Sequence, residues 1–234
     1  MLKDDIFKDI QVIFEDSNII VVNKPFGMLS CQDKKGIDKD LYSTVKEKTN
    51  SKDLAIINRL DRGVGGIVVF SKNNTSTTVL TEYMKNHSFK KGYLAVVCGK
   101  AKDEDIIVDF IMKNQRQNIS KIVNKNSSGA KEARLSYKKV AQIDIDSNVY
   151  SLVDINLETG RHHQIRVQMA NANLPLYNDT KYNKNIKRKI GNGNIGLFCY
   201  KMGLKHPITN EYLEFIVLPK NEEIFKNFYK VIDL

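Results

Sequence analysis

The chain has 234 residues, with 37 Lys and Arg against 27 Asp and Glu, a formal charge of +10, 41% hydrophobic and 27% charged residues. That length suits one large domain or two small ones, buries a core without metal or disulfide staples, and with this composition excludes wholesale disorder. The basic surplus suggests a polyanionic partner, with nucleic acid the first guess and an acidic membrane surface the second.

Met1 to Ile10 carries Lys3, Asp4, Asp5 and Lys8 without an apolar stretch, unlike a signal peptide. No apolar run approaches the roughly 20 residues of a membrane helix, so a soluble, cytoplasmic protein is expected. Val12–Glu15 and Ile19–Val22, separated by Asp16-Ser17-Asn18, predict a hairpin that Pro25 and Gly27 end. Leu41 to Lys48 predicts a short helix, Gly66 to Phe70 a buried strand, and Thr75 to Asn86 a helix with Val79, Leu80, Tyr83 and Met84 on one stripe. Tyr93 to Val97 predicts a strand ended by Gly99. Residues 105–157 read as a β meander, with strands over Ile106–Ile111, Lys131–Val140 and Val149–Leu157 and a polar loop from Asn124 to Gly129. His163 begins a helix reaching Ala170, and Asn178 to Gly196 is polar and basic, either an ordered RNA-facing loop or a mobile segment. Glu211 to Val217 predicts a last strand. Asn221 caps a final helix whose first turn holds Glu222 and Glu223, which suits the helix dipole. The pattern is one α+β domain.

Cys31, Cys98 and Cys199 are too scattered for a disulfide framework or a zinc site. Gly63-Val-Gly-Gly lacks dinucleotide and Walker spacing and precedes a strand, so nucleotide-cofactor binding is a weak reading. His162 and His163 point about 100° apart on a helix and rarely share one metal; structural or RNA-contacting histidines are expected. Three segments place charged groups at strand ends: Val21 to Gly27, Asn58 to Gly66, and Leu157 to Arg166. Asp61 sits between Arg59 and Arg62, whose charge favours an ionised carboxylate. Such a group serves as nucleophile or general base, or equally as a structural ion pair at a turn.

These segments resemble the signature motifs of the RluA-type RNA pseudouridine synthases. Val21 to Gly27 resembles that family's V-V-N-K-P-x-G segment, and Asn58 to Gly66 its H-R-L-D-x-x-T-S-G motif. Lys91, Tyr93 and Ala95 resemble its K-x-Y-x-A strand. Thr159, Gly160, Arg161, His163, Gln164, Ile165 and Arg166 match T-G-R-x-H-Q-I-R, and Lys205 to Leu213 resembles H-P-x-T-G-E-x-L. The order holds over residues 10–220. The resemblance implies the pseudouridine synthase fold, a mixed and mainly antiparallel bent sheet flanked by helices around a central catalytic cleft. It implies one catalytic domain over residues 1–234, without an N-terminal RNA-binding module. Asp61 matches the catalytic aspartate, Tyr93 the tyrosine that packs on the target base, and Arg166 the arginine that pairs with the catalytic carboxylate. Arg59 matches an arginine linked to the flipped-out nucleotide. RNA contacts are expected from Arg59, Arg62, Lys24, Arg161, His163, Gln164, Lys184, Lys187 and Lys189. Asn58 stands where the family has His, Val64-Gly65 where it has Thr-Ser, and Asn178 where it has Gly before Asp179.

The implied reaction isomerises uridine in ribosomal or transfer RNA. It breaks the N1–C1′ bond, turns the uracil and joins C5 to the ribose. Nothing is oxidised and no atom is added, so neither cofactor nor metal is required. A carboxylate attacks C1′, C2′ or C6 or removes a proton, on a uridine flipped out of its stack. The expected protein is a cytoplasmic monomer whose partner is RNA, with no membrane partner. A non-catalytic RNA-binding or ribosome-assembly factor on the same fold is the alternative. A nucleoside glycosidase would want a second carboxylate that the sequence does not identify.

Overall fold

A computed structural model describes residues 10–32, 40–186, 193–220 and 222–232. Eleven strands and four helices lie among them, an α+β composition. They divide into two compact units, one drawn from residues 1–90 and 199–217, the other from 91–198 and 218–234.

The first unit begins with the expected hairpin, β1 (Val12–Glu15) and β2 (Ile19–Lys24). Its turn is closed by the Asp16 carboxylate, which accepts from the amides of Asn18 at 2.7 Å and Ile19 at 2.8 Å. After α1 (Leu41–Thr49) and the short β3 (Ala55–Ile56), β4 (Gly65–Ser71) pairs antiparallel with β2. Both strands are near-continuous apolar runs. Ile19 to Val22 and Ile67 to Phe70 are buried throughout, as strands covered on both faces require. Helix α1 is capped by Asp40 and α2 (Asn74–Lys85) by Asn73, each side chain accepting a first-turn amide. β10 (Leu197–Lys205), of which Cys199 onward belongs to this unit, neighbours β4 and pairs antiparallel with β11 (Tyr212–Ile216). Gly66, at the mouth of β4, has φ +119°, and a Cβ there would overlap the Cys199 carbonyl, so only glycine fits.

In the second unit β5 (Lys90–Cys98) pairs with β9 (Asn148–Leu157), β9 with β8 (Lys131–Ile145), β8 with β6 (Glu104–Asn114), and β6 with β7 (Ile119–Val123), all antiparallel. The meander expected for β6, β8 and β9 is present. To it the structure adds β7, which turns back on the outer side of β6. The register shift between Lys139 and Ala141 leaves Val140 as an extra residue, and β8 runs on to Ile145. Asp146 and Ser147, both with positive φ, form the turn into β9. Helix α3 (Gln164–Asn171) packs on β6 and β7, and α4 (Glu223–Ile232) on β8. The expected cap Asn221 lies outside the described residues, as do Lys187 and Lys189.

Candidate active site

The segment between β3 and β4 has no regular structure, yet side chains and backbone anchor nearly every residue around Asp61. Buried Asn58 donates from Nδ2 to the Ile67 carbonyl at 3.1 Å and accepts the Val69 amide at 2.8 Å, which staples the segment to β4. The residue that departs from the family's histidine is thus a two-bond bracket. Ser30 Oγ donates to the Leu60 carbonyl at 2.7 Å and accepts the Leu60 amide at 3.0 Å. The Arg62 carbonyl accepts the Gly27 amide at 2.8 Å, and Arg62 Nε donates to the Gly27 carbonyl at 3.0 Å. Val64 donates its amide to the Asp61 carbonyl at 3.0 Å, closing the turn. Half-buried Asp61 is therefore held from both flanks, and little backbone freedom remains to be lost when it meets a substrate. Arg59, two residues away, is exposed.

Lys24 corrects the expectation that it contacts RNA. It ends β2 opposite Gly66 and is fully buried, with its ammonium donating to the carbonyls of Met28 at 2.7 Å and Pro25 at 3.0 Å. The side chain supports the Pro25–Met28 turn from inside and has no surface to offer a phosphate. Burial pushes its pKa down from 10.5 to about 7; the Asp61 charge opposes the fall and Arg62 adds to it. A neutral amine still donates to two carbonyls, so the turn survives deprotonation.

The sign of the pH effect follows. Between pH 7 and 10.5 the unfolded chain holds a Lys24 proton that the folded chain has released, so folding stability rises with pH across that window. Below about 7 both forms are protonated and the penalty of burying the charge is present in full. In Lys24→Met, which keeps the stem volume, denaturant melts are expected to lose this contribution and give a flatter stability curve over the window. Parallel curves for the two proteins would refute it.

In the second unit, Tyr93 stands on β5 opposite Ile155 and is 8% exposed. Arg166 lies on α3 and, unlike an ordinary helix-surface charge, is buried. Its Nε and Nη2 fork onto Asp179 Oδ2 and Oδ1, both at 2.7 Å, a bidentate pair in which Asp179 has no exposure. The guanidinium also lies over the Tyr182 ring, 5.2 Å from its centroid. The sequence gives no role to Tyr182, and it marks Asp179 only as the residue that matches the Asp of the family's Gly-Asp pair.

Gln164 is a second correction. It is 3% exposed, and its Oε1 accepts from Thr159 Oγ1 at 2.8 Å and the Arg161 amide at 2.9 Å, while Nε2 donates to the Arg134 carbonyl at 3.2 Å. Its amide is an internal brace for the Thr159–Arg161 loop and does not face RNA. Arg161 is half-buried, with Nε on the Glu132 carbonyl at 2.9 Å. His162 and His163 stack at 3.8 Å. His162 reaches Ser120 Oγ at 2.9 Å and Asn118 Oδ1 at 3.1 Å, and His163 Nδ1 meets the Tyr182 hydroxyl at 2.8 Å. Among the described residues, no group of three or more His, Cys, Asp or Glu is placed to hold a metal ion, and no helix is long and apolar enough to cross a membrane. Lys184 is exposed.

The motifs thus fall on anchored backbone in the first unit and on a buried helix in the second. Residues 18–171 match the family model for RNA pseudouridylate synthase. The chain belongs to that family. As an RNA pseudouridine synthase it isomerises uridine in RNA. It is 26% identical over 88% of its length to tRNA pseudouridine synthase C of Vibrio parahaemolyticus, 88% of which is covered. To the Haemophilus ducreyi protein of the same name it is 28% identical, with 86% of this chain and 87% of that one covered. Human RNA pseudouridylate synthase domain containing 1 shares the fold, with a TM-score of 0.73 at 18% identity, over 91% of this chain and 84% of that one.

Proposed function

We propose that this pseudouridine synthase acts on uridine in transfer RNA and that Asp61 is the carboxylate that carries the reaction. The observation that supports Asp61 is the anchoring of both its neighbours, Leu60 by Ser30 and Arg62 by Gly27, which presets a charged group on otherwise irregular backbone. Tyr93 is the ring that packs on the flipped-out base, and Arg166 steadies charge at the reacting centre. Arg59, Arg62, Arg161, His163 and Lys184 keep exposed or half-exposed positions suited to phosphate contact. The chain works as a single catalytic domain, a cytoplasmic monomer without a cofactor. The choice of transfer RNA follows the name shared by the Vibrio and Haemophilus relatives.

The test is pseudouridine mapping of total RNA from cells with and without the gene, paired with in vitro reaction of the purified chain on tRNA and ribosomal RNA from the deletion strain. A tRNA uridine that loses its modification in the deletion and regains it in vitro is expected. Loss confined to ribosomal RNA would overturn the choice of substrate, and an unchanged map with no activity in vitro would overturn the assignment.

A further inference from the structure

We propose that Tyr182 is a positioning residue for Arg166, its ring backing the guanidinium and its hydroxyl locking that ring to β7 and α3. The inference rests on the reading above that Arg166 serves the reacting centre.

A carboxylate fork constrains a guanidinium within its own plane but lets that plane hinge about the line joining the two oxygens. A second contact outside the carboxylate limits that hinge, and an aromatic ring beneath the guanidinium carbon supplies one. Here one turn supplies both parts. The Tyr182 amide donates to the Asp179 carbonyl at 3.2 Å and the Asn183 amide to the same oxygen at 2.8 Å, so carboxylate and ring are carried on one short, closed segment. Asp179 takes Arg166 edge-on, and the guanidinium carbon lies over the Tyr182 ring, 5.2 Å from its centroid.

The ring is in turn fixed at its far end. Its hydroxyl oxygen accepts the Ser120 amide at 2.7 Å, and Ser120 belongs to β7. The hydroxyl also meets His163 Nδ1 at 2.8 Å, a bond that runs in either direction according to the imidazole tautomer. Burial raises the Tyr182 phenol, so the proton is retained. His163 caps α3 in a left-handed conformation, φ +53°, three residues before Arg166, and its carbonyl accepts the Val167 amide at 3.0 Å. One hydroxyl thereby joins the hairpin strand, the helix start and the turn that holds Arg166. The side chain also packs on the cluster of Ile111, Ala133 and Val167. A tyrosine that only filled this cluster would not need the two hydroxyl bonds and would show no energetic coupling to Arg166.

The experiment is a double-mutant cycle on the full-length protein, with total tRNA from the deletion strain as substrate. It uses Tyr182→Phe, Tyr182→Leu, Arg166→Lys and the two double variants, and measures single-turnover rate at saturating enzyme, tRNA affinity by filter binding, and melting temperature. Tyr182→Phe is expected to slow the reaction roughly fivefold and Tyr182→Leu roughly fiftyfold, with affinity within about twofold of wild type. In the Arg166→Lys background, each substitution should slow it by less than about twofold more, because both act through the same guanidinium. Full additivity on a slow Arg166→Lys enzyme would overturn the inference while leaving the role of Arg166 standing. A wild-type rate for Arg166→Lys would instead overturn the reading on which the inference rests. If Tyr182→Leu does not fold, the Tyr182→Phe arm of the cycle decides alone, with additivity again the overturning result.

Discussion

Asp61→Asn is expected to fold, to bind RNA and to form no pseudouridine. Asparagine is nearly isosteric, and none of the bonds that brace its neighbours uses the Asp61 carboxylate: Asn58 holds β4, Ser30 holds Leu60, and Arg62 and Gly27 hold each other. One buried charge that feels the change is Lys24, whose proton the Asp61 charge helps retain. With a pKa already near 7, Lys24 sheds that proton at little expense when the carboxylate is neutralised and goes on donating to Pro25 and Met28. At Lys24 an uncompensated buried cation is therefore avoided, which is the usual reason a broken buried pair is severely destabilising. An amide can neither attack carbon nor take a proton, so the bond-breaking step has no carboxylate to run it. Tritium release or mapping on tRNA checks the activity, and melting temperature and filter binding check fold and affinity. Wild-type isomerisation by this variant would remove Asp61 from the mechanism. Inactivity accompanied by collapse of the melting temperature would make it a structural ion.

Where local chemistry decides an element, the sequence shows it. The β1–β2 hairpin follows from an Asp16 that caps its own turn, β4 from an unbroken apolar run, and α1 and α2 from side-chain caps beside amphipathic stripes. The strands β7 and β10 were not legible. β7 has five residues with no clear alternation, and its pairing depends on a turn at left-handed Asn118. β10 mixes Gly203 and Lys201 into its apolar positions. The motif positions were legible, but the direction each side chain faces was not. Lys24 and Gln164 carry polar groups that solvent or RNA would ordinarily meet, and only carbonyls and hydroxyls folded around them turn them inward. Similarly, Arg166 is gripped by a carboxylate 13 residues along the chain, beyond any helical spacing.

Asp179→Ala is expected to lower folding stability by about 3–5 kcal/mol, because it takes a bidentate carboxylate away from a buried guanidinium. For a chain of this size that loss corresponds to a fall of very roughly 10 °C in melting temperature. The pair itself is a different matter. Bringing two charges out of water is expensive, and replacing both by apolar groups of similar volume is often neutral. The double variant Arg166→Met, Asp179→Leu is accordingly expected to recover most of the stability lost in Asp179→Ala. The neighbouring surface suits the exchange, since Tyr182 packs on the Ile111, Ala133 and Val167 cluster. The recovered protein should nevertheless form no pseudouridine, since it lacks the guanidinium. Thermal melts and tRNA modification assays on the two variants separate what the pair does for the fold from what Arg166 does for the reaction. A double variant that is stable and active would assign Arg166 to the fold alone. One as unstable as Asp179→Ala would mean that the Arg166–Asp179 bonds themselves, and not relief from burying the guanidinium without that carboxylate, hold α3 to the Asp179 turn.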